Sequence, residues 1–260
     1  MTLKAVILAG GLGTRLSEET GFRPKPMVEI GGKPILWHIM KIYSYYGIND
    51  FVICLGYKGY MIKEYFKNYC FHQNDVVINL KDNSIKMIKK CSEPWSITLI
   101  DTGELAMTGS RIKKIKKFIG DPFLLTYGDA VADININDLI NFHESHDGII
   151  TMTVVHPESR FGAVDLGDDN KIRQFREKFH GDNTQLVNGG FFVCNTGIFD
   201  YLPDGENVVF EKEPLENLAK DGKLFAYEHQ NFWKCMDTLR DKTELEELWY
   251  SNPKWRIWKE

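Results

Sequence analysis

The segment LKAVILAGGLGTRLSEETGFRPKPMVEIGGKPIL, residues 3–36, carries the signals from which the rest of the chain is read. Leu3–Leu8 is an apolar run broken only by Lys4, the pattern of a strand covered on both faces of a sheet. It runs directly into Gly10, Gly11 and Gly13, backbone without side chains that can adopt positive φ and turn its N–H groups toward an oxyanion. Arg15 and Lys25 bring two cations beside that loop, and Pro24 and Pro26 stiffen the segment carrying the lysine. A glycine loop behind a buried strand, flanked by fixed cations, suits a polyphosphate. It is not a Walker A loop, because no Gly-Lys-Ser/Thr closes it. Nor is it the dinucleotide fingerprint, because Leu16 stands where a third glycine belongs.

Outward from this segment, helix-like and strand-like patterns alternate. Helical spacing over 34–46 begins at Pro34 and stops at Gly47, as a first-turn proline and a terminal glycine dictate. FVICLG (51–56), SITLID (96–101) and FLLTYGD (123–129) read as buried strands. Residues 58–69, 108–119 and 135–146 read as helices, the last with Asn135 as its cap. Such alternation predicts right-handed crossovers and a mostly parallel sheet. Beyond residue 148 the pattern changes: 149–155, 162–166, 172–178 and 187–194 are β runs with short turns, which predict antiparallel pieces added to the sheet. Residues 210–221 and 238–250 read as helices, and 73–87 as a β ribbon or projecting arm. The expected fold class is α/β: a Rossmann-like mixed, mostly parallel sheet flanked by helices, with small antiparallel β additions, in a single domain over 1–260.

The 36 acidic and 32 basic residues give a net charge of −4, which argues against nucleic-acid or membrane-surface binding, since both use a basic face. The runs KMIKK (86–90) and KKIKK (113–117) read as solvated faces. No signal-peptide pattern opens the sequence, and no apolar run approaches the roughly 18 residues of a membrane span. The expectation is a cytoplasmic protein acting on small molecules. Five cysteines without CxxC spacing indicate neither a zinc site nor a disulfide framework, and Cys235 lacks a nearby histidine to make it a nucleophile. Trp255 and Trp258, near the end of the chain, read as closing an interface.

GGLGTRL with KPM is followed, in order and at fitting spacing, by SEPW (92–95), DTGELAMTGSR (101–111), TYGDAVAD (126–133), REK (176–178), VNGGFFV (187–193) and WKCMDTLRD (233–241). Together these resemble the sugar-1-phosphate nucleotidyltransferases, most of all those that use CTP, from about residue 3 to about residue 250. The resemblance implies attack by the phosphate of α-D-glucose 1-phosphate on the α-phosphorus of CTP, yielding CDP-glucose and pyrophosphate with Mg²⁺ as cofactor. It also implies a homohexamer, and a product used in dideoxysugar synthesis for surface polysaccharide such as lipopolysaccharide O-antigen. Residues 1–134 would then be mainly the nucleotide-binding half. Residues 135–260 would be mainly the sugar-phosphate half with the C-terminal helix.

By the same resemblance Arg15 and Lys25 are the catalytic cations, and Asp129 and Asp237 hold the metal. Leu8, Ala9, Gly10, Gly11, Gly13, Thr14, Thr108, Arg111 and Gly128 contact the nucleotide, and Glu177, Lys178, Asn188 and Gly189 the sugar phosphate. A phosphate monoester is already mostly ionised at neutral pH, so no general base is needed; charge neutralisation, in-line placement and a divalent metal are. Arg111 is the expected reader of the cytosine O2 and N3 acceptors, which match an arginine fork. Read without the family, Asp129 and Asp237 are equally helix caps, Asp133 is a likelier cap than a ligand, and REK is ordinary surface. Phe179 stands where the family usually has proline, and Ser110 where it has a second glycine. Those departures keep another sugar phosphate, or UTP or dTTP, open as substrates. A non-catalytic nucleotide-binding module is a further alternative, while a glycosyltransferase would want a DxD motif that GDAVAD does not supply.

Overall fold

The computed structural model describes residues 3–88, 93–157, 163–166, 172–176 and 186–259. Its centre is a seven-stranded sheet in the order Leu224–His229, Ile150–Val155, Val187–Cys194, Phe123–Tyr127, Lys4–Ala9, Asp50–Leu55, Ser96–Asp101. Phe123–Tyr127, Lys4–Ala9, Asp50–Leu55 and Ser96–Asp101 pair in parallel, so their carboxyl ends share one edge. Val187–Cys194 runs antiparallel between Phe123–Tyr127 and Ile150–Val155, and Leu224–His229 returns parallel to the latter. The antiparallel pieces expected after residue 148 are therefore partly strands of the main sheet itself. Among the described residues four further antiparallel pairs lie outside it: Ala163–Leu166 with Ile172–Arg176, Val76–Asn79 with Ser84–Met87, Ala130–Ala132 with Trp233–Cys235, and Glu29–Ile30 with Lys33–Pro34.

The continuous apolar runs are explained by what covers them. Along Lys4–Ala9, the side chains of Ala5, Ile7 and Ala9 join one buried cluster and those of Val6 and Leu8 the other. Phe51, Ile53 and Leu55 likewise part company with Val52 and Cys54. Period-two alternation thus persists, but both faces are dry, so no polar residue marks it. Cys54 and Cys194 are core residues, as their setting predicts.

The helix Ile35–Tyr45 is buried on most of its circumference, from Ile35 through Met40 and again at Ile42 and Tyr43. The sheet covers one side of it. The other is covered by the end of the chain, where Trp255 is wholly buried and Trp258 nearly so. This corrects the expectation that these two tryptophans close an interface: they close this chain's own core. On this helix, against them, is His38, fully buried and ringed by Trp37, Trp249, Trp255 and Trp258. Trp255 Nε1 donates to His38 Nδ1 at 3.4 Å and His38 Nε2 donates to the Ile30 carbonyl at 2.9 Å, which fixes a neutral tautomer.

Two helix boundaries differ from the sequence reading. The expected 108–119 helix is Thr108–Lys114 followed by the short turn Lys116–Phe118. The expected 210–221 helix is Glu213–Lys220, because Pro214 suits a first turn and leaves Phe210 and Glu211 outside it. Asn135 caps its helix as expected, its side chain accepting from the backbone of Asn137 and Asp138. The ribbon expected over 73–87 is present at Val76–Met87, with Val77, Ile78, Leu80, Ile85 and Met87 exposed. Among the described residues, no helix is long and apolar enough to cross a membrane.

Candidate active site

Parallel sheets gather ligands beyond the carboxyl ends of their strands, and there the first strand hands over to the glycine loop. Of its three glycines, only Gly13 takes positive φ, at 64°. Gly10 is required for a different reason. A Cβ there would lie 2.2 Å from the guanidinium of Arg111, and one at Gly56 would lie 2.5 Å from it. The guanidinium is packed between these two glycines. Its Nη1 donates to the carbonyls of Leu55 (2.9 Å) and Gly103 (2.8 Å) and to Thr102 Oγ1 (2.7 Å). Its Nη2 donates to the carbonyls of Gly10 (2.9 Å) and Glu104 (3.2 Å).

Arg111, the expected reader of the base, borders the cavity with its guanidinium bonded to the protein's own oxygens. The paired nitrogens that would read a pyrimidine are occupied by backbone oxygens, and only 3% of the residue is exposed. Its work is to tie the glycine loop, the end of the second strand and the 102–104 loop to one point. Tyr57 reinforces the tie, its N–H donating to Gly10 and its hydroxyl to the Thr20 carbonyl.

Asp129 and Asp237 meet through a small ladder. Ala130–Ala132 pairs antiparallel with Trp233–Cys235, and the Met236 N–H donates to the Asp129 carbonyl at 2.8 Å. This register sets the two carboxylates on either side of Lys25, whose Nζ donates to Asp129 Oδ2 at 2.6 Å and to Asp237 Oδ1 at 2.7 Å. Arg15 Nη1 donates to the other oxygen of Asp237 at 2.7 Å. Burial alone would lower the Lys25 ammonium, but Asp129 and Asp237 together outweigh it and hold it above its ordinary range.

The alternative that Asp237 is a helix cap is answered by its neighbour. Thr238 caps Leu239–Ser251 in a reciprocal box with Asp241, which leaves the Asp237 carboxylate to the cations. Asp133 is not a cap either: its Oδ1 lies 3.1 Å from His229 Nε2. Burial, then the nearby carboxylates, push the Cys235 thiol up to about 11, so it stays protonated at neutral pH and is no nucleophile.

These groups line one cavity of about 820 Å³. Leu8, Gly10, Gly11, Gly13, Thr14, Arg15, Lys25, Thr108, Arg111, Gly128, Asp129, Asn188, Gly189 and Asp237 all border it. Ala9 does not. Its side chain is wholly buried in the core behind the loop. Glu177 and Lys178 lie outside the described residues. The wall also contains Tyr127, Glu211 and Trp233, to which the sequence reading assigned no site role. Trp233 Nε1 donates to the Gly189 carbonyl at 2.7 Å, fastening the Asn188–Gly189 corner to the carboxylate ladder. No histidine borders the cavity among the described residues.

Two carboxylates beside a phosphate-sized loop are a partial donor set of hard oxygens. Among the described residues, no group of three or more His, Cys, Asp or Glu could enclose a metal alone. That fits a small divalent cation that completes its shell with water and substrate phosphates. The position between the carboxylates, taken here by an ammonium, is one that demands positive charge.

Residues 4–248 match the family model described as Nucleotidyl transferase. The chain is 53% identical over 259 residues to the glucose-1-phosphate cytidylyltransferase of Salmonella typhi, covering 98% of this chain and 100% of that one. It is 46% identical over 258 residues to the probable glucose-1-phosphate cytidylyltransferase of Bacillus subtilis, with coverage of 98% and 100%. Among solved structures, HddC from Yersinia pseudotuberculosis is similar with a TM-score of 0.68 and 26% identity over 95% of this chain and 100% of that one.

Proposed function

Because the chain belongs to the nucleotidyl transferase family, we propose that it transfers the cytidylyl group of CTP to α-D-glucose 1-phosphate, giving CDP-glucose and pyrophosphate. The observation that carries the chemistry is Lys25, held between Asp129 and Asp237 opposite the glycine loop. Near-full-length identity to glucose-1-phosphate cytidylyltransferases supports the choice of substrates.

Each residue has work that its position allows. The backbone of Gly10–Thr14 and the side chain of Arg15 receive the triphosphate. Lys25, kept cationic by its two carboxylates, neutralises charge at the α-phosphorus as the sugar phosphate attacks. The attacking phosphate arrives ionised and needs no general base. Asp129 and Asp237 hold Mg²⁺, which when bound supplies further charge neutralisation to the phosphates. Leu8, Gly128 and the 104–108 wall receive the nucleoside, with Arg111 setting the shape of that wall rather than touching the base. Asn188 and Gly189, with Glu177 and Lys178 in the preceding segment, receive the sugar phosphate. Residues 1–134 thus serve mainly the nucleotide and 135–260 mainly the sugar phosphate, within one domain placed in the cytoplasm where both substrates are found. The exposed apolar ribbon Val76–Met87 supports assembly into a homohexamer, since six such ribbons left in water would be an aggregation liability.

The test is pyrophosphate release with glucose 1-phosphate and Mg²⁺, comparing CTP, UTP, dTTP, ATP and GTP. Turnover confined to CTP is expected. Equal turnover with UTP or dTTP overturns the base assignment, and silence with all five overturns the sugar.

A further inference from the structure

Besides Asp129 and Asp237 the cavity wall includes Glu104 and Glu211, and Glu211 is held unlike the two aspartates. It lies just ahead of the helix Glu213–Lys220. Its Oε1 accepts from the Tyr127 hydroxyl at 2.6 Å and its Oε2 from Thr108 Oγ1 at 2.7 Å. Donor arithmetic fixes every direction in this network. A carboxylate can only accept, so both hydroxyl hydrogens point at Glu211. Tyr127 then accepts from Asn188 Nδ2 at 3.1 Å, while Asn188 Oδ1 accepts from the Gly190 N–H at 2.8 Å. Thr108 Oγ1 accepts from the Phe210 N–H at 2.9 Å. Burial, and then the Glu211 charge, push the Tyr127 phenol far up, so it remains a donor throughout the working pH range.

Two of the roughly four lone-pair positions of the carboxylate are therefore used, and two remain. Among the described residues no cation pairs with Glu211, although Asp129 and Asp237 share Lys25 and Arg15 a short way along the same wall. A carboxylate with no cation partner among the described residues repels an anionic group brought against it. What it can accept is a neutral donor. Its two anchors place it where the Asn188–Gly189 side of the cavity, reached through Tyr127, meets the Thr108 wall.

We infer that Glu211 is a specificity residue of the sugar pocket: its carboxylate accepts hydrogen bonds from hydroxyls of a neutral hexose ring and turns away sugar phosphates whose ring carries a second anionic group. This rests on the cytidylyl transfer proposed above. The amino group of a cytosine offers the same donor chemistry, so the test separates the two sources.

Kinetics of Glu211→Gln are measured with glucose 1-phosphate, with glucuronic acid 1-phosphate and with CTP as the varied substrate. The KM for glucose 1-phosphate should rise about tenfold, as expected for loss of a charge-assisted hydrogen bond. The preference of the native enzyme for glucose 1-phosphate over glucuronic acid 1-phosphate should shrink by a similar factor, with KM for CTP unchanged. Tyr127→Phe, which removes one anchor and keeps the charge, should raise the same KM by only about threefold and leave the exclusion of glucuronic acid 1-phosphate intact. An unchanged KM for glucose 1-phosphate in Glu211→Gln overturns the inference, and so does a rise confined to CTP. If the native protein itself shows no turnover, the proposed reaction fails on its own. Calorimetric titration of glucose 1-phosphate into native and Glu211→Gln protein then still decides, since equal affinities overturn the pocket role and a tenfold loss upholds it.

Discussion

The Lys25 end and the Glu211 end of one cavity handle negative charge in opposite ways. At the first, Asp129 and Asp237 sit within 2.7 Å of the lysine, and an arginine binds the second of them. At the other end, Glu211 is anchored by two neutral hydroxyls. The first arrangement places cations where anionic groups arrive and gives them carboxylates to rest on. The second holds a charge still without cancelling it. The difference teaches that a carboxylate's role in a site follows from what neutralises it, not from its presence in the wall.

The largest effect should come from removing charge at the compensated end. Asp237→Asn should lower kcat by about 10³-fold in a pyrophosphate-release assay, because charge stabilisation at the reacting phosphorus is the main resource of this chemistry. If Glu211→Gln lowers kcat as much, the two ends are not distinct and the comparison breaks.

A buried polar group outside the cavity provides the next test, in stability rather than rate. Burial lowers the His38 imidazole from its ordinary 6.5 to about 4. Between those values the unfolded chain binds a proton that the folded one refuses. Stability is therefore complete above about pH 6.5 and falls as pH drops toward 4, by about 3 kcal/mol. Denaturant unfolding across that range should show the loss in the native protein and a flatter acid limb in His38→Phe. Parallel curves would show that the tryptophan ring does not exclude the charged form.

Arg111→Lys follows in size. A lysine keeps the charge but cannot reach the carbonyls of Gly10, Leu55, Gly103 and Glu104 together. KM for CTP should rise by about 10- to 30-fold, near 2 kcal/mol, with kcat within threefold, since the loop is loosened while Lys25 and the carboxylates are untouched. A collapse of kcat with KM unchanged would return Arg111 to the chemistry. Thr238→Ala should matter least: about 1 kcal/mol of unfolding free energy through the lost helix cap. Turnover should hold, because Asp237 is positioned by Lys25 and Arg15.

Much of this was legible from local pattern. Continuous apolar runs marked the buried strands, the glycine loop announced the anion site, and Pro24–Lys25–Pro26 and the Gly128–Asp129 strand end marked two of the central groups. What local pattern could not carry was the direction of side chains whose partners are distant. Arg111 looked like a free fork because the Gly10 carbonyl that claims it lies 101 residues away. Glu211 was hidden inside a charged stretch that read as a helix face, until Pro214 delayed the helix and freed the residue for the wall. Trp255 and Trp258 looked like spare aromatics because nothing near them in sequence needed covering; the helix they cover is more than 200 residues earlier.

The ladder between Ala130–Ala132 and Trp233–Cys235 has a consequence for how the protein comes into being. Lys25 reaches one carboxylate 104 residues ahead and the other 212 residues ahead. A chain emerging from the ribosome has its glycine loop, its lysine and Asp129 well before Asp237 exists outside the exit tunnel. Until then the wall that Trp233 ties to Gly189 is open and the lysine faces a single acid. A nascent chain can therefore hold a loop shaped for phosphate before the second carboxylate is in place beside Lys25.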